Sequence, residues 1–276
     1  MADVLPDYCL GQPLARVDLQ VVCPLLFRRV PPLPWPPTPY PSITSTTTSS
    51  ANYPSRGNRA KPSSALEMIS VIYEFRTYCL KPGGIPGFEH QFAAAAGARQ
   101  KYSKMFAFWR SEMGRLNQVI HVWPYESLSA REAVRDEAKK DPLWPPAGTT
   151  PFFGGLMNSE IYRPVPFMPA ESPLGDHRYK YFEMFIDTYS AHTIGAAVDG
   201  WREYAESRTK LSPMVGCWQS EFATLNRLLH VWAYDSLDER MDVMRQAVKL
   251  DRPEGMDHGL VEQESKILTS SVFSQI

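Results

Sequence analysis

Two histidines lie in the same short pattern, one in each half of the chain. The segment HVWPY (121–125) is answered by HVWAY (230–234). Alternate side chains of a strand share a face, so each histidine lies beside a tryptophan and a tyrosine. Such a histidine could line a small cavity, act as a general base, or ligate a metal or haem iron. A core histidine whose second nitrogen finds a polar partner is the interpretation we favour, because both copies retain it. The six side chains are His121, Trp123, Tyr125, His230, Trp232 and Tyr234.

Carboxylates within apolar strand segments are also paired between the two halves. The pairs are Glu74 with Glu183 and Glu112 with Glu221. Paired acids can perform acid–base chemistry, but a salt bridge across the sheet or a hydrogen bond to a histidine is the interpretation we favour. We add Glu112 and Glu221 to the six side chains above. These eight residues are the candidate ligand-binding residues, on one face of the barrel that is predicted below. We predict no catalytic residue and no metal ligand, because no phosphate loop, nucleophile elbow, H-E-x-x-H or dinucleotide motif occurs.

Two arginines of the first half have no basic counterpart in the second half. Arg76 corresponds to Phe185 in the second half, and Arg115 corresponds to Thr224. Because a duplicated architecture repeats its structural residues, unrepeated residues are the better candidates for a site that belongs to one half alone. A solvated surface arginine is the ordinary alternative.

The two halves align when Trp109 is placed on Trp218. The segment WRSEMGRLNQVIHVWPYESL (109–128) then falls on WQSEFATLNRLLHVWAYDSL (218–237), and 11 of these 20 positions are identical. Such a repeat predicts two copies of one supersecondary unit. We place the first unit at 67–165, a linker at 166–177 and the second unit at 178–276.

The order of elements within one unit is βαββαβ, the ferredoxin-like arrangement. The predicted elements are a strand at 71–78, a helix at 86–104, strands at 106–113 and 116–125, a helix from Ser127 or Ser129 to just before Pro142, and a strand at 156–162. Ser129 with Glu132 fits a capping box, and Asn117 and Asn226 follow hairpin turns, where asparagine tolerates unusual backbone angles. This α+β fold covers one sheet face with helices, so the other face must pack on the second copy. We predict two tandem ferredoxin-like units that form an intrachain dimeric α/β barrel.

The N-terminal segment 1–66 differs in composition from the rest. It contains 12 of the 25 prolines, and it carries six basic and three acidic side chains, against 23 basic and 27 acidic in residues 67–276. We predict that this proline-, serine- and threonine-rich head (residues 1–66) is disordered, and a transit segment is one interpretation of its composition. The formal net charge of −1 excludes a globally basic nucleic-acid binder. No apolar run reaches the roughly 18 residues that a spanning helix needs.

The segments YEFRTYCLKPGG (73–84), FWRSEMGRLN (108–117), HVWPY (121–125) and KDPLW (140–144) resemble the NipSnap family, in particular its third homologue branch. The likeness covers residues 69–276. It implies a dimeric α/β-barrel fold, mitochondrial association in the matrix or otherwise, and roles as an adaptor or scaffold in mitochondrial quality control or vesicle trafficking. The family has no settled catalytic activity, and cytosolic placement is the alternative location.

From the residues and the resemblance together we expect a non-enzymatic protein with protein partners. We expect no cofactor, no nucleic-acid partner and no membrane span, and self-association into a homo-oligomer stays open. The alternative function is a small-molecule or haem-binding barrel with monooxygenase-like chemistry, which the histidine–tryptophan–tyrosine face would serve.

Overall fold

The computed structural model describes residues 71–169 and 174–276, so the predicted head lies outside the described residues. The first repeat contains strand β1 (Ile72–Leu80), helix α1 (Ile85–Gln100), strands β2 (Ala107–Met113) and β3 (Gln118–Tyr125), helix α2 (Leu128–Ala138), a short 3-10 helix (Ala147–Phe152) and strand β4 (Phe153–Pro164). The second repeat contains β5 (Tyr181–Tyr189), α3 (Ile194–Arg208), β6 (Met214–Phe222), β7 (Arg227–Tyr234), α4 (Leu237–Ala247) and β8 (Leu260–Ser270). The predicted order of elements is therefore confirmed, while the predicted domain and linker boundaries stay predictions.

The eight strands close into one antiparallel barrel in the order β1-β3-β2-β8-β5-β7-β6-β4. Each repeat contributes four strands. The two halves join where β2 pairs with β8 and where β4 pairs with β6. These two seams are equivalent under exchange of the repeats, because β6 and β8 are the second copies of β2 and β4. The predicted intrachain dimeric α/β barrel is confirmed.

Strands β1 and β3 bury side chains on both of their faces, in agreement with a sheet that helices cover on one side and the second copy covers on the other. Phe75, Ile120 and Val122 point into the barrel, where they belong to one buried cluster with residues of the second repeat. On the opposite face, Tyr78 and Trp123 belong to a second cluster with side chains of α1. Alternation of residue types along a strand does not distinguish a buried face from an exposed one when helices cover the outer face and a second sheet covers the inner face.

The hairpin turns follow the sequence prediction closely. Asn117 and Asn226 have φ values of 57° and 58°, in the left-handed region that asparagine tolerates better than most residues. The N-terminal cap of α2 differs from the prediction. Ser127 is the cap of α2 and accepts a hydrogen bond from Ala130 N, so the capping box predicted at Ser129 is wrong. Ser236, the counterpart of Ser127, caps α4 by accepting a hydrogen bond from Glu239 N.

Candidate functional site

A cavity of about 330 Å³ lies on the outer face of the first repeat's sheet, beneath α1. Strands β1 and β3 form its floor and α1 forms one wall. The rest of the lining comes from α2, the loop that follows it, the short 3-10 helix and β4. Its apolar side chains include Phe88, Phe92, Trp123 and Trp144, and its polar ones include Arg76, Arg99, His121, Arg135 and Lys139.

His121 is a polar residue on the cavity floor and is nearly buried, at 2 % exposure. Trp123 Nε1 donates a hydrogen bond to His121 Nδ1 at 2.6 Å. An indole nitrogen can only donate, so in the neutral ring the proton must lie on Nε2. Burial, followed by the charge of Arg76, lowers the pKa of His121 well below its usual value, so the ring is neutral. Nε2 is buried and has no hydrogen-bond partner in the described part of the chain.

This proton arrangement argues against a metal or haem at either histidine. A neutral imidazole that accepts at Nδ1 and carries its proton on Nε2 has no free lone pair for a metal ion. The same contact recurs in the second repeat, where Trp232 Nε1 donates to His230 Nδ1 at 2.7 Å. In residues 71–169 and 174–276, no group of three potential His, Cys, Asp or Glu ligands comes together. The residues present therefore do not fit a histidine-ligated haem.

Glu74 lies beside the cavity and is fully buried. Its carboxylate accepts hydrogen bonds from Arg76 at 2.7 Å, Arg131 at 2.6 Å and Ser159 at 2.6 Å, and Arg135 Nη1 lies 3.5 Å away. Burial alone would raise the pKa of Glu74, but these hydrogen bonds and the arginine charges outweigh it and lower the pKa to about 2. One carboxylate thus faces three guanidinium groups, which leaves the neighbourhood with net positive charge.

Arg99 adds a further positive charge to the wall formed by α1. Its guanidinium lies over the Trp123 ring, 4.3 Å from the centroid, and donates a hydrogen bond to Tyr125 Oη at 2.8 Å. Another hydrogen bond goes to Ser103 Oγ. Among the ion pairs of the described residues none involves Arg99. Its guanidinium is therefore held by hydroxyl groups and a ring face, without a direct carboxylate contact.

The equivalent space in the second repeat is occupied by the protein itself. Trp201, the counterpart of Phe92, lies over His230 with ring centroids 4.2 Å apart. Phe185, the counterpart of Arg76, stacks on His230 at 5.0 Å. Asp187 replaces Tyr78, and its Oδ2 lies 3.2 Å from His230 Nε2. The nitrogen that lacks a partner in the first repeat is therefore bound to a carboxylate in the second.

The sequence-predicted candidates separate into two groups. His121, Trp123 and Tyr125, with their counterparts His230, Trp232 and Tyr234, lie on the helix-covered outside of the barrel rather than in its lumen. Glu112 and Glu221 lie near the hairpin ends and contact none of these six. Glu112 accepts from Thr269 Oγ1 at 2.8 Å, and Glu221 forms a salt bridge with Arg163 at 2.7 Å. A ligand-binding role for the eight residues stays a prediction.

The structure also shows where two unrepeated arginines and one tryptophan of the first repeat lie. Arg76 lines the cavity, as an unrepeated site residue would, whereas Arg115 lines a polar cavity of about 200 Å³ inside the barrel. Trp144 packs on Phe92 at 5.5 Å and anchors the loop after α2. Sequence reasoning missed Arg99 and Arg131. Their repetition as Arg208 and Arg240 in the same alignment of the two halves was the available signal.

Comparison with known proteins gives concordant results. The NIPSNAP family model matches twice, at residues 73–169 and 186–275. NipSnap homolog 3A of Homo sapiens is 29 % identical over 177 residues, which is 62 % of this chain and 70 % of that protein. NipSnap homolog 3B of Mus musculus is 31 % identical over the same coverage of both chains.

Solved structures share the fold at low identity. A protein of Fusobacterium nucleatum matches with a TM-score of 0.54 and 9 % identity, over 73 % of this chain and 92 % of that chain. An anthrone oxidase-like protein matches with a TM-score of 0.51 and 8 % identity, over 73 % and 92 %. At such identities the likeness concerns the barrel architecture alone. The two matches to the family model extend over most of the chain, and the chain therefore belongs to the NIPSNAP family.

Proposed function

We propose that this chain is a non-enzymatic adaptor that binds protein partners at mitochondria. The observation that carries the proposal is a set of exposed apolar side chains repeated at both hairpin tips. Met113 and Leu116 are exposed at the first tip, and their counterparts Phe222 and Leu225 are exposed at the second. Exposed apolar side chains that cluster on a folded protein are typical of interaction surfaces.

A groove beside the first tip supports the same proposal. Its volume is about 420 Å³, and Met113, Leu237, Met241 and Ile267 contribute its apolar surface. Met113 is 50 % exposed and Met241 is 47 % exposed. Flexible methionine side chains adapt to different partner surfaces. The groove joins the hairpin of the first repeat to α4 of the second, so a partner bound there would contact both repeats.

The test is capture of partners by the immobilised full-length chain from mitochondrial and cytosolic extracts. We compare the wild type with the double variant Met113→Glu/Met241→Glu. Leu156→Glu is the matched control, because Leu156 is 70 % exposed and does not line the groove. Loss of a reproducible set of captured proteins in the groove variant, with retention in the control, supports the proposal. Equal capture by all three proteins would contradict it.

Location requires a separate experiment. The family resemblance supports mitochondrial association, with the cytosol as the alternative, and a role in mitochondrial quality control or vesicle trafficking is part of this proposal. The described residues contain no helix that is both long and apolar enough to cross a membrane. Cell fractionation of the full chain and of a variant lacking residues 1–66 tests the location. Unchanged cytosolic recovery of both proteins would contradict mitochondrial association.

A second candidate function, small-molecule binding, is supported by the cavity beneath α1. A monooxygenase-like activity has no comparable support, because fold likeness alone does not identify chemistry. Haem has none either, since both histidines accept at Nδ1 from tryptophan. We expect no change in the absorbance spectrum of haem when the protein is added. A new absorbance band that disappears with His121→Ala and His230→Ala would contradict this expectation.

A further inference from the structure

We propose that the cavity of the first repeat binds a small carboxylate with a planar apolar body, and that His121 Nε2–H and Arg76 hold the carboxylate. The inference rests on the small-molecule function proposed above and names its ligand class. It concerns the first repeat only.

The first step is the unpartnered donor. His121 Nε2 carries a proton because Nδ1 accepts from Trp123 Nε1 at 2.6 Å. The side chain is 2 % exposed and lines the cavity. A buried donor without a partner is unfavourable, and an acceptor atom of a ligand would restore its hydrogen bond. The cavity therefore favours a molecule that presents an acceptor to its floor.

The second step is charge. Arg76 and His121 are directly opposite each other where β1 pairs with β3, so their side chains leave the same face. Arg76 uses Nε for Tyr78 Oη and Nη1 for Glu74. Arg99, Arg135 and Lys139 also line the cavity. Lys139 pairs with Asp136 at 2.8 Å, and Arg76 and Arg135 share Glu74 with Arg131. Three arginines therefore share one carboxylate, Arg99 adds a further positive charge, and this excess favours an anionic acceptor.

The third step is the second repeat, in which the chain itself supplies the proposed partner. His230 has the same contact with its tryptophan, and its Nε2 faces the carboxylate of Asp187 at 3.2 Å. In the first repeat the position of Asp187 is Tyr78, whose hydroxyl accepts from Arg76. The ring of Tyr78 packs edge-on against His121, with ring centroids 4.9 Å apart, and the cavity lies beside the two residues. The duplicated architecture therefore identifies a carboxylate as a partner for this nitrogen, and the first repeat has the nitrogen without the carboxylate.

The fourth step is shape. Phe88, Phe92, Trp123 and Trp144 provide aromatic surface around the cavity. Aromatic walls favour flat rings, which they contact edge-on or offset. The volume of about 330 Å³ is at the lower end of the range for ligand pockets, so the ligand is a small molecule rather than a long chain.

The experiment is isothermal titration calorimetry of the full chain with 2-naphthoate and with 2-naphthamide, which has the same shape without the charge. Phe92→Trp copies the residue that fills the second repeat and leaves the polar groups in place. His121→Phe removes the donor. The reverse exchange, Trp201→Phe, is the matched control in the second repeat. Thermal unfolding of each variant confirms that it is folded before titration.

We expect one 2-naphthoate per chain and an affinity for 2-naphthamide that is weaker by about tenfold or more, the value of one charge-assisted hydrogen bond. Phe92→Trp and His121→Phe should each weaken 2-naphthoate binding by about tenfold or more, while Trp201→Phe should stay within about twofold of the wild type. Equal affinity for the amide and the carboxylate would overturn the ligand class but leave small-molecule binding standing. Binding of neither probe would overturn both.

Discussion

Replacing Glu74 by glutamine tests the electrostatic support of the cavity. The side chain is fully buried, and its partners hold its pKa at about 2 instead of 4.5. A difference of that size corresponds to about 3 kcal/mol of stabilisation at pH 7, in line with the roughly 3–5 kcal/mol lost when one member of a buried ion pair is removed. Glu74→Gln keeps the shape of the side chain and removes the charge, so we expect the free energy of unfolding to fall by about 3 kcal/mol.

The pH dependence gives this prediction a second check. Because folding lowers the pKa of Glu74, its charge stabilises the protein above pH 4.5, and the contribution is lost as the pH falls toward 2. The difference between wild type and Glu74→Gln should therefore shrink to about 2 kcal/mol at pH 3.5. Urea unfolding followed by tryptophan fluorescence measures both values.

Glu137→Gln is the matched control, because Glu137 forms an exposed pair with Lys140. Such a surface pair contributes about 0–1 kcal/mol, so this variant should resemble the wild type. A loss below about 1 kcal/mol for Glu74→Gln at pH 7, or a loss that does not change between pH 7 and pH 3.5, would refute the reasoning.

Three further predictions concern single positions. Asn117 has a φ of 57°, which asparagine tolerates through local hydrogen bonds of its side chain and glycine through the absence of a Cβ. Asn117→Ala should therefore destabilise the fold by about 1 kcal/mol in urea unfolding, and Asn117→Gly should not; equal effects would contradict this. Trp201→Ala should cost about 3–5 kcal/mol in the same assay through the packing lost over His230, and a cost below about 1 kcal/mol would show that this space is not filled as described. Burial raises the pKa of the Cys217 thiol well above its usual value, so mass spectrometry should find Cys217 unlabelled by iodoacetamide in the native protein and labelled after unfolding; labelling of the native protein would contradict this.

The sequence was informative wherever the two repeats agree. The alignment of the two halves predicts the order of elements and the barrel, and the hairpin asparagines follow from their position after a turn. Prediction was weaker at element ends. Strand β3 begins at Gln118 rather than 116, and β4 begins at Phe153, three residues earlier than expected. These ends depend on pairing with strands that are distant in the chain, which local patterns do not report.

The site itself depends on differences between the repeats. The pattern HVWxY is nearly identical in both repeats, but the side chains packed around the histidine differ. Three of the replacements contact the histidine directly. These are Phe92 for Trp201, Arg76 for Phe185 and Tyr78 for Asp187. The sequence singles out Arg76 as unrepeated. It cannot place Phe92 and Trp201 against the two histidines. Each of these contacts connects a helix to a strand, and only the folded structure brings the two together.

The most direct measurement of the central claim, that the first repeat keeps a ligand site which the second has filled, is NMR of the full chain labelled with ¹⁵N-histidine. His121 and His230 should both show a protonated Nε2, and His121 should stay neutral as the pH is lowered from 8 to 5. Addition of 2-naphthoate should shift the Nε2–H signal of His121 and leave that of His230 unchanged. A protonated Nδ1 at His121, or equal shifts at both histidines, would contradict the account.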